Sequence, residues 1–330
     1  MSKNRDNSIS VFQHSYFNSD GKQHDTITAE QARVILDFTV VKEPVSRFNG
    51  TGYEKVPGQY CLVRKDNDND GGCVVGLGCV GEQFEVAAQP TQVLDFFLEH
   101  IMPEVPELKI ETVASVFDGA TTFVNFHYGD EYGFTNDSSP HFTNILFMNP
   151  LTRGRLCLLS HTVRVICQNT LRWARQTGTG FTINHTRNGS FYVKAALEAI
   201  GIQIKKAAAL KQLSIKLDKM LITSKNIASI LDEIYPVKKT KNGEDSTRMV
   251  NIRNDVLAQF ESDSTFKAKT AWAFLNAMTY KQEHPKMTAN RDPLRIGTDN
   301  LFGTRAEAKA QMLNAVVKEM GIKTKELQLA

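Results

Sequence analysis

The sequence predicts an α+β protein, with a mostly antiparallel sheet in the N-terminal half and a helical C-terminal half. Three observations carry this prediction. Runs that alternate apolar and polar residues, bounded by Gly, Pro, Asn or Asp, are confined to the chain before about residue 170. Helical spacing takes over from Phe191 onward. Strands and helices do not alternate along the chain and no repeat period is visible, so neither a doubly wound sheet nor a solenoid fits. The chain then divides into a polar arm (1–25), a strand-rich α+β core (26–190), a helical region packed on or beside that core (191–322) and a short tail (323–330).

The elements follow in order. Thr28 and Gln31 have the spacing of a capping box and predict a short helix. Leu36–Val41 alternates as a strand, and Pro44 is expected to stop it. Tyr60–Arg64 and Cys73–Leu77 predict a hairpin around the polar loop Lys65–Gly72. Asp66, Asp68, Asp70 and Gly71 in that loop imitate the first half of a calcium loop. The bidentate Glu needed at its twelfth position is Leu77, so a solvated loop is the better reading. Val93–His100 is amphipathic and helical, entered through Pro90 and a Thr91 cap. Leu108–Phe117 and Thr121–His127 form a second hairpin turning at Asp118–Ala120, and Phe142–Met148 and Gly154–Ser160 add two strands.

The stretch His161–Arg175 closes the strand-rich half. Val163–Cys167 reads as a buried strand, and Thr170–Gln176 reads as a helix capped by Asn169 or Thr170. A helix beginning there would offer unpaired amides to an anion. Beyond it, Tyr192–Leu221 predicts a long helix with a break at Gly201. Further helices are expected over Thr223–Tyr235, Thr247–Phe260, Thr270–Glu283 and Thr304–Met320, with a loop over 286–301.

The totals exclude several classes. Apolar residues make up 41% and charged residues 23% of the 330, ordinary for a globular protein with a sizeable core. No stretch approaches a membrane span, and the first ten residues lack the apolar core of a signal peptide, so the expected setting is cytoplasmic. The five cysteines (Cys61, Cys73, Cys79, Cys157 and Cys167) contain no CxxC pair and read as reduced thiols. There is no GxGxxG with the right context, no Walker loop, no GxSxG, and no His spacing suited to zinc. No metal or cofactor is therefore expected.

The net charge of +3 is small, but its distribution is uneven. No Asp or Glu occurs from Ser138 through Leu197, where Arg153, Arg155, Arg164, Arg172, Arg175, Arg187 and Lys194 all fall. Lys205, Lys206, Lys211 and Lys216 extend the run after a single Glu198. Trp173, Phe181, Phe191 and Tyr192 are interleaved with these cations. Cations that contact phosphates and aromatics that stack unpaired bases are the two ingredients of single-strand binding. The plain alternative is core aromatics beside a solvated basic face. His185, with Thr186 and Arg187, suits a phosphate or a proton transfer, although a lone His is more often structural.

Arg164-Val-Ile-Cys167-Gln168-Asn169-Thr170-Leu171 resembles the signature of the phage/plasmid-like proteins, a domain-of-unknown-function family carried by bacteriophages and plasmids. Leu36–Pro44, Leu77–Gly81 with Phe84, His185-Thr186, Trp272 with Asn276, Tyr280 and His284, and Leu301-Phe-Gly303 resemble the family in the same order. Met148–Gly154 stands where relatives carry an Asn-Ser-His-Asp-Gly-like turn. The resemblance implies a mobile-element protein acting in replication, recombination or plasmid maintenance.

The leading expectation is a nucleic-acid-binding protein that binds or anneals single-stranded DNA, with Arg153, Arg155, Arg164, Arg172, Trp173, Arg175, Arg187 and Tyr192 as contacts. One alternative is an enzyme acting on nucleotides or nucleic acid through a pocket of Gln168, Asn169 and His185. The other is an accessory protein that engages a host partner. Homo-oligomerisation stays open under each.

Overall fold

Alternation in the sequence becomes strand pairing in the structure, a computed structural model that describes residues 7–10, 26–66, 74–152, 155–164, 169–171, 182–185, 193–239, 246–284 and 293–323. Strand β1 (Asn7–Ser10) belongs to a larger sheet, while β2 (Phe38–Phe48), β3 (Tyr53–Asp66) and β4 (Val74–Gly81) form a smaller antiparallel one. The larger sheet is completed by β5 (Leu108–Val116), β6 (Thr121–Tyr132), β7 (His141–Pro150), β8 (Arg155–Arg164), β9 (Asn169–Leu171) and β10 (Thr182–Asn184). Its order is β1-β5-β6-β7-β8-β10, with β9 also paired to β8, and every described pairing is antiparallel. The helices are α1 (Ala29–Leu36), α2 (Pro90–Phe96, continued by a π-helical turn to Ile101), α3 (Val193–Lys219), α4 (Ser224–Ile234), α5 (Thr247–Ser262), α6 (Ala271–Glu283), α7 (Pro293–Phe302) and α8 (Thr304–Glu319). The fold is α+β.

Successive strand residues face opposite sides, so the larger sheet presents two apolar faces. Val113, Val124, Phe126, Ile145, Phe147, Leu156 and Leu158 meet Leu94, Phe97 and Ile101 together with Ala196, Ala199 and Ile200 of α3. On the other side Ala114, Val116, Phe123, Leu146, Met148 and Cys157 meet Leu294 and Leu301 of α7. Burial on both faces leaves every residue of β7 buried, its polar residues included. The C-terminal half of α3 (Leu210, Leu213, Leu217) joins a separate cluster with Ile230, Val256, Trp272, Phe274, Leu313 and Val316. Helix α3 is therefore common to the sheet and the helical cluster.

Five local expectations are corrected. Pro44 does not end β2. It lies on the edge strand of the small sheet, beside a register shift between Pro44 and Ser46, where a missing N–H is tolerated. The helix at 90 is entered at Gln89, whose amide donates to Gln92 Oε1, with Pro90 rather than Thr91 leading it. Asn169–Leu171 is a strand and not a helix start. Thr170 lies opposite Val163 on β8, a ladder position that suits a β-branched residue. Gly201 does not break α3, because neighbouring packing overrides its weak helical preference. Pro293, read as part of a loop, opens α7 at a first-turn position where its lost donor costs nothing.

Candidate nucleic-acid interface

Helix α3 is 27 residues long, about 40 Å at 1.5 Å per residue. Its buried side carries Ala196, Ala199, Ile200, Gln203, Ala207, Leu210, Leu213 and Leu217, at the spacing that packs one face. Lys205, Gln212, Lys216 and Lys219 lie exposed on the other side. Lys205 and Lys216 are three turns apart and share a bearing, about 16 Å from one another, with Lys219 one turn further. Of the two acids on α3, Glu198 is exposed two turns before Lys205 on a similar bearing, and Asp218 turns inward. Asp218 is buried, and its Oδ2 accepts the Asn136 amide at 2.9 Å while Asn136 Nδ2 donates to the Asp218 carbonyl at 2.8 Å. Burial is the main cause that raises the Asp218 pKa. Lys211, on the flank of the helix, stands 4.2 Å over the Tyr132 ring.

The sequence-based candidates divide into three groups. Arg153, Cys167, Gln168, Arg172, Trp173, Arg175, Arg187 and Tyr192 lie outside the described residues. Arg164, Asn169 and Thr170 are placed by their backbone: Arg164 ends β8 directly opposite Asn169 of β9. Arg155 is exposed at the start of β8, and alternation puts it on the side of Cys157 that faces α7. The α3 lysines belong to the opposite side of the sheet, so the described cations do not share one face.

The family-motif residues farther along make contacts within the fold. His185 is buried, its Nδ1 accepts the Ala87 amide at 3.2 Å, and its ring stacks on Phe84 at 5.4 Å. Burial lowers its pKa, so the imidazole is held neutral. Trp272 is buried on α6 and donates through Nε1 to Asp137 Oδ2 at 3.1 Å. Asp137 also lies 3.4 Å from His141 Nε2 and accepts the Ser139 amide at 3.0 Å. Phe134 meets the indole edge-on at 5.2 Å. This polar and aromatic cluster fastens the β6–β7 loop to α6. Asn276 Nδ2 donates back to the Trp272 carbonyl one turn earlier. Tyr280 and His284 form a ring pair at 4.3 Å at the end of α6, with His284 exposed.

Two features carry no motif. The first is Glu111, which occupies a bulge in β5 between Ile110 and Thr112 and is fully buried. Its Oε1 meets Ser10 Oγ at 3.3 Å and Thr112 Oγ1, and its Oε2 accepts Nδ2 of Asn125 and, at 2.6 Å, of Asn144. Desolvation outweighs these hydrogen bonds and pushes its pKa up to about 7. Glu111 also borders a cleft of about 420 Å³ with Lys109, His127, Leu98 and Met102. The alternating pattern of β5 gave no sign of it. The second is the β2–β3 tip, where Phe48 and Tyr53 are 64% and 82% exposed. Asn49-Gly50 between two aromatic residues is a turn signal that locates this tip from sequence. Among the described residues, no group of three or more His, Cys, Asp or Glu is placed to hold a metal ion, and no helix is long and apolar enough to cross a membrane.

The fold is that of an α+β protein with a basic helix face and a buried polar knot. A family model described as "Domain of unknown function (DUF932)" matches residues 76–317, and the chain belongs to that family. No curated protein and no solved structure matches it.

Proposed function

We infer that this chain binds single-stranded nucleic acid, as a phage- or plasmid-borne protein that works in replication or recombination. The observation that carries this reading is the lysine row on α3, where Lys205, Lys216 and Lys219 share an exposed face. A row of lysines about 20 Å long suits a phosphate backbone better than a compact anion. Fluorescence anisotropy with a labelled oligonucleotide at ~50 mM salt tests it, since electrostatic contacts are strongest at low salt. Binding that weakens steeply with salt is expected. Replacing Lys205, Lys216 and Lys219 with Gln should lower the slope of log K against log salt by about 2, three contacts at about 0.7 each. Absence of binding at ~50 mM salt would sink the reading.

A further inference from the structure

The β2–β3 hairpin projects beyond the rest of the small sheet. β3 pairs with β4 only from Gln59 onward, so Ser46–Phe48 and Tyr53–Lys55 pair only with one another. Phe48 lies four residues, about 13 Å, past Pro44. An unsupported hairpin of this kind is marginal in water, and its turn is built to hold it. Asn49 Oδ1 accepts the amides of Thr51 at 3.1 Å and Gly52 at 2.9 Å, and Gly50 takes φ +96°, a conformation that favours glycine.

The two faces of the tip differ. Phe48 and Tyr53 are directly opposite each other, with ring centroids 5.6 Å apart and planes at 60°. Lys55 follows Tyr53 by two residues, so alternation places it on the same face, opposite Ser46, and it is exposed. The acid at the tip, Glu54, belongs to the other face and is paired with Arg47 at 3.4 Å. One face therefore offers two rings and a cation, and the other is electrically balanced.

The ring pair stabilises the hairpin, but that role alone leaves most of both rings in water. Exposed aromatics call for a partner, and their size limits what it is. Each ring can cover at most about 250 Å², so the two fall short of the roughly 800 Å² per partner of a stable protein interface. An unpaired base needs only one ring face, with a cation close by for its phosphate.

We propose that the β2–β3 tip is a base-stacking platform for an unpaired strand, with Phe48 and Tyr53 taking nucleobases and Lys55 the adjoining phosphate. This rests on the reading of the chain as a single-strand binder and adds a second point of contact, away from α3. The test is an oligo(dT) titration of the full chain and three variants, F48A/Y53A, K55Q and Y53W, with light scattering alongside. F48A/Y53A should bind about tenfold more weakly or worse, with its salt slope unchanged. K55Q should lower that slope by about 0.7. Y53W keeps an aromatic tip, and adding the oligonucleotide should quench its emission beyond the change that Trp173 and Trp272 give in the wild-type chain.

If the wild-type chain binds and neither F48A/Y53A nor K55Q differs from it, the platform is wrong while the α3 reading stands. If the wild-type chain does not bind, both fail. If F48A/Y53A turns a dimer into a monomer without changing affinity, the rings dock a second copy and the proposal is overturned. Should F48A/Y53A fail to fold, quenching of Y53W in excess of wild type supports the platform and its absence refutes it.

Discussion

Glu111 is a carboxyl group shut away from water, and its surroundings show where its proton sits. Asn125 and Asn144 both donate to Oε2, so that oxygen must accept, whereas Ser10 and Thr112 at Oε1 have hydroxyls that can turn to receive a proton. With its pKa raised from 4.5 to about 7, the folded chain holds a proton that the unfolded chain has released between those values. The folded state binds more protons there, so stability is fully present below pH 4.5 and falls as pH rises toward 7, by about 3 kcal/mol in all. Glu111→Gln keeps the acceptor for the asparagines and the donor for the hydroxyls. Urea titrations between pH 4.5 and 8 should show this variant with a flatter pH dependence than wild type. An equal slope would mean that the carboxyl ionises without cost. At Trp272, Phe would keep most of the ring volume but remove the indole N–H that donates to Asp137 Oδ2. We expect a loss of about 1–3 kcal/mol in chemical unfolding, with oligonucleotide affinity unchanged, because the indole fastens the fold. Neither role was legible residue by residue. Glu111 breaks no pattern that a strand imposes, and Trp272 stood out only through a family motif that cannot tell an anchor from a contact.

Among the elements, the sequence told most where one periodicity ran long. Strands β5 to β8 of the larger sheet, α4, α6 and α8 fall where alternation or helical spacing placed them, because their burial depends on one regular face. The failures occurred where a neighbour supplied what local chemistry lacked. Asn169–Leu171 has the look of a capped helix start, yet β8 offers it a ladder, and long-range pairing prevails over the cap. Gly201 illustrates the same competition inside α3. Its Cβ position is open, with no atom within 4 Å, so Gly201→Ala should remove backbone freedom from the unfolded chain without a clash. A gain of about 0.5–1 kcal/mol is expected. A thermal melt that moved down would show that α3 depends on a bend there.

At the scale of the whole molecule, the decisive feature is that α3 belongs to two cores. Its first half packs on the sheet with Phe97 and Leu158, and its second half packs with Trp272 and Val316. Melting either core removes a wall from the other, so the chain should unfold in a single step. Far-UV circular dichroism and tryptophan emission followed through urea should give coincident curves, and two separated transitions would show that the cores are independent. The change from strand-rich to helix-rich composition near residue 190 foretold the α+β class. It did not foretell that one helix would serve both halves, because periodicity reports that a face is buried and not what buries it.

The four residues of β1 also decide how the molecule behaves in company. They cover the outer edge of β5, and Ser10 is tied into the Glu111 knot. If a protease removed residues 7–10, the unpaired amides and carbonyls of β5 would become a template for strands from other chains. Loss of this small clasp should therefore show as sedimenting aggregate rather than as lost helix, and the clasp is best kept clear of tags and cleavage sites.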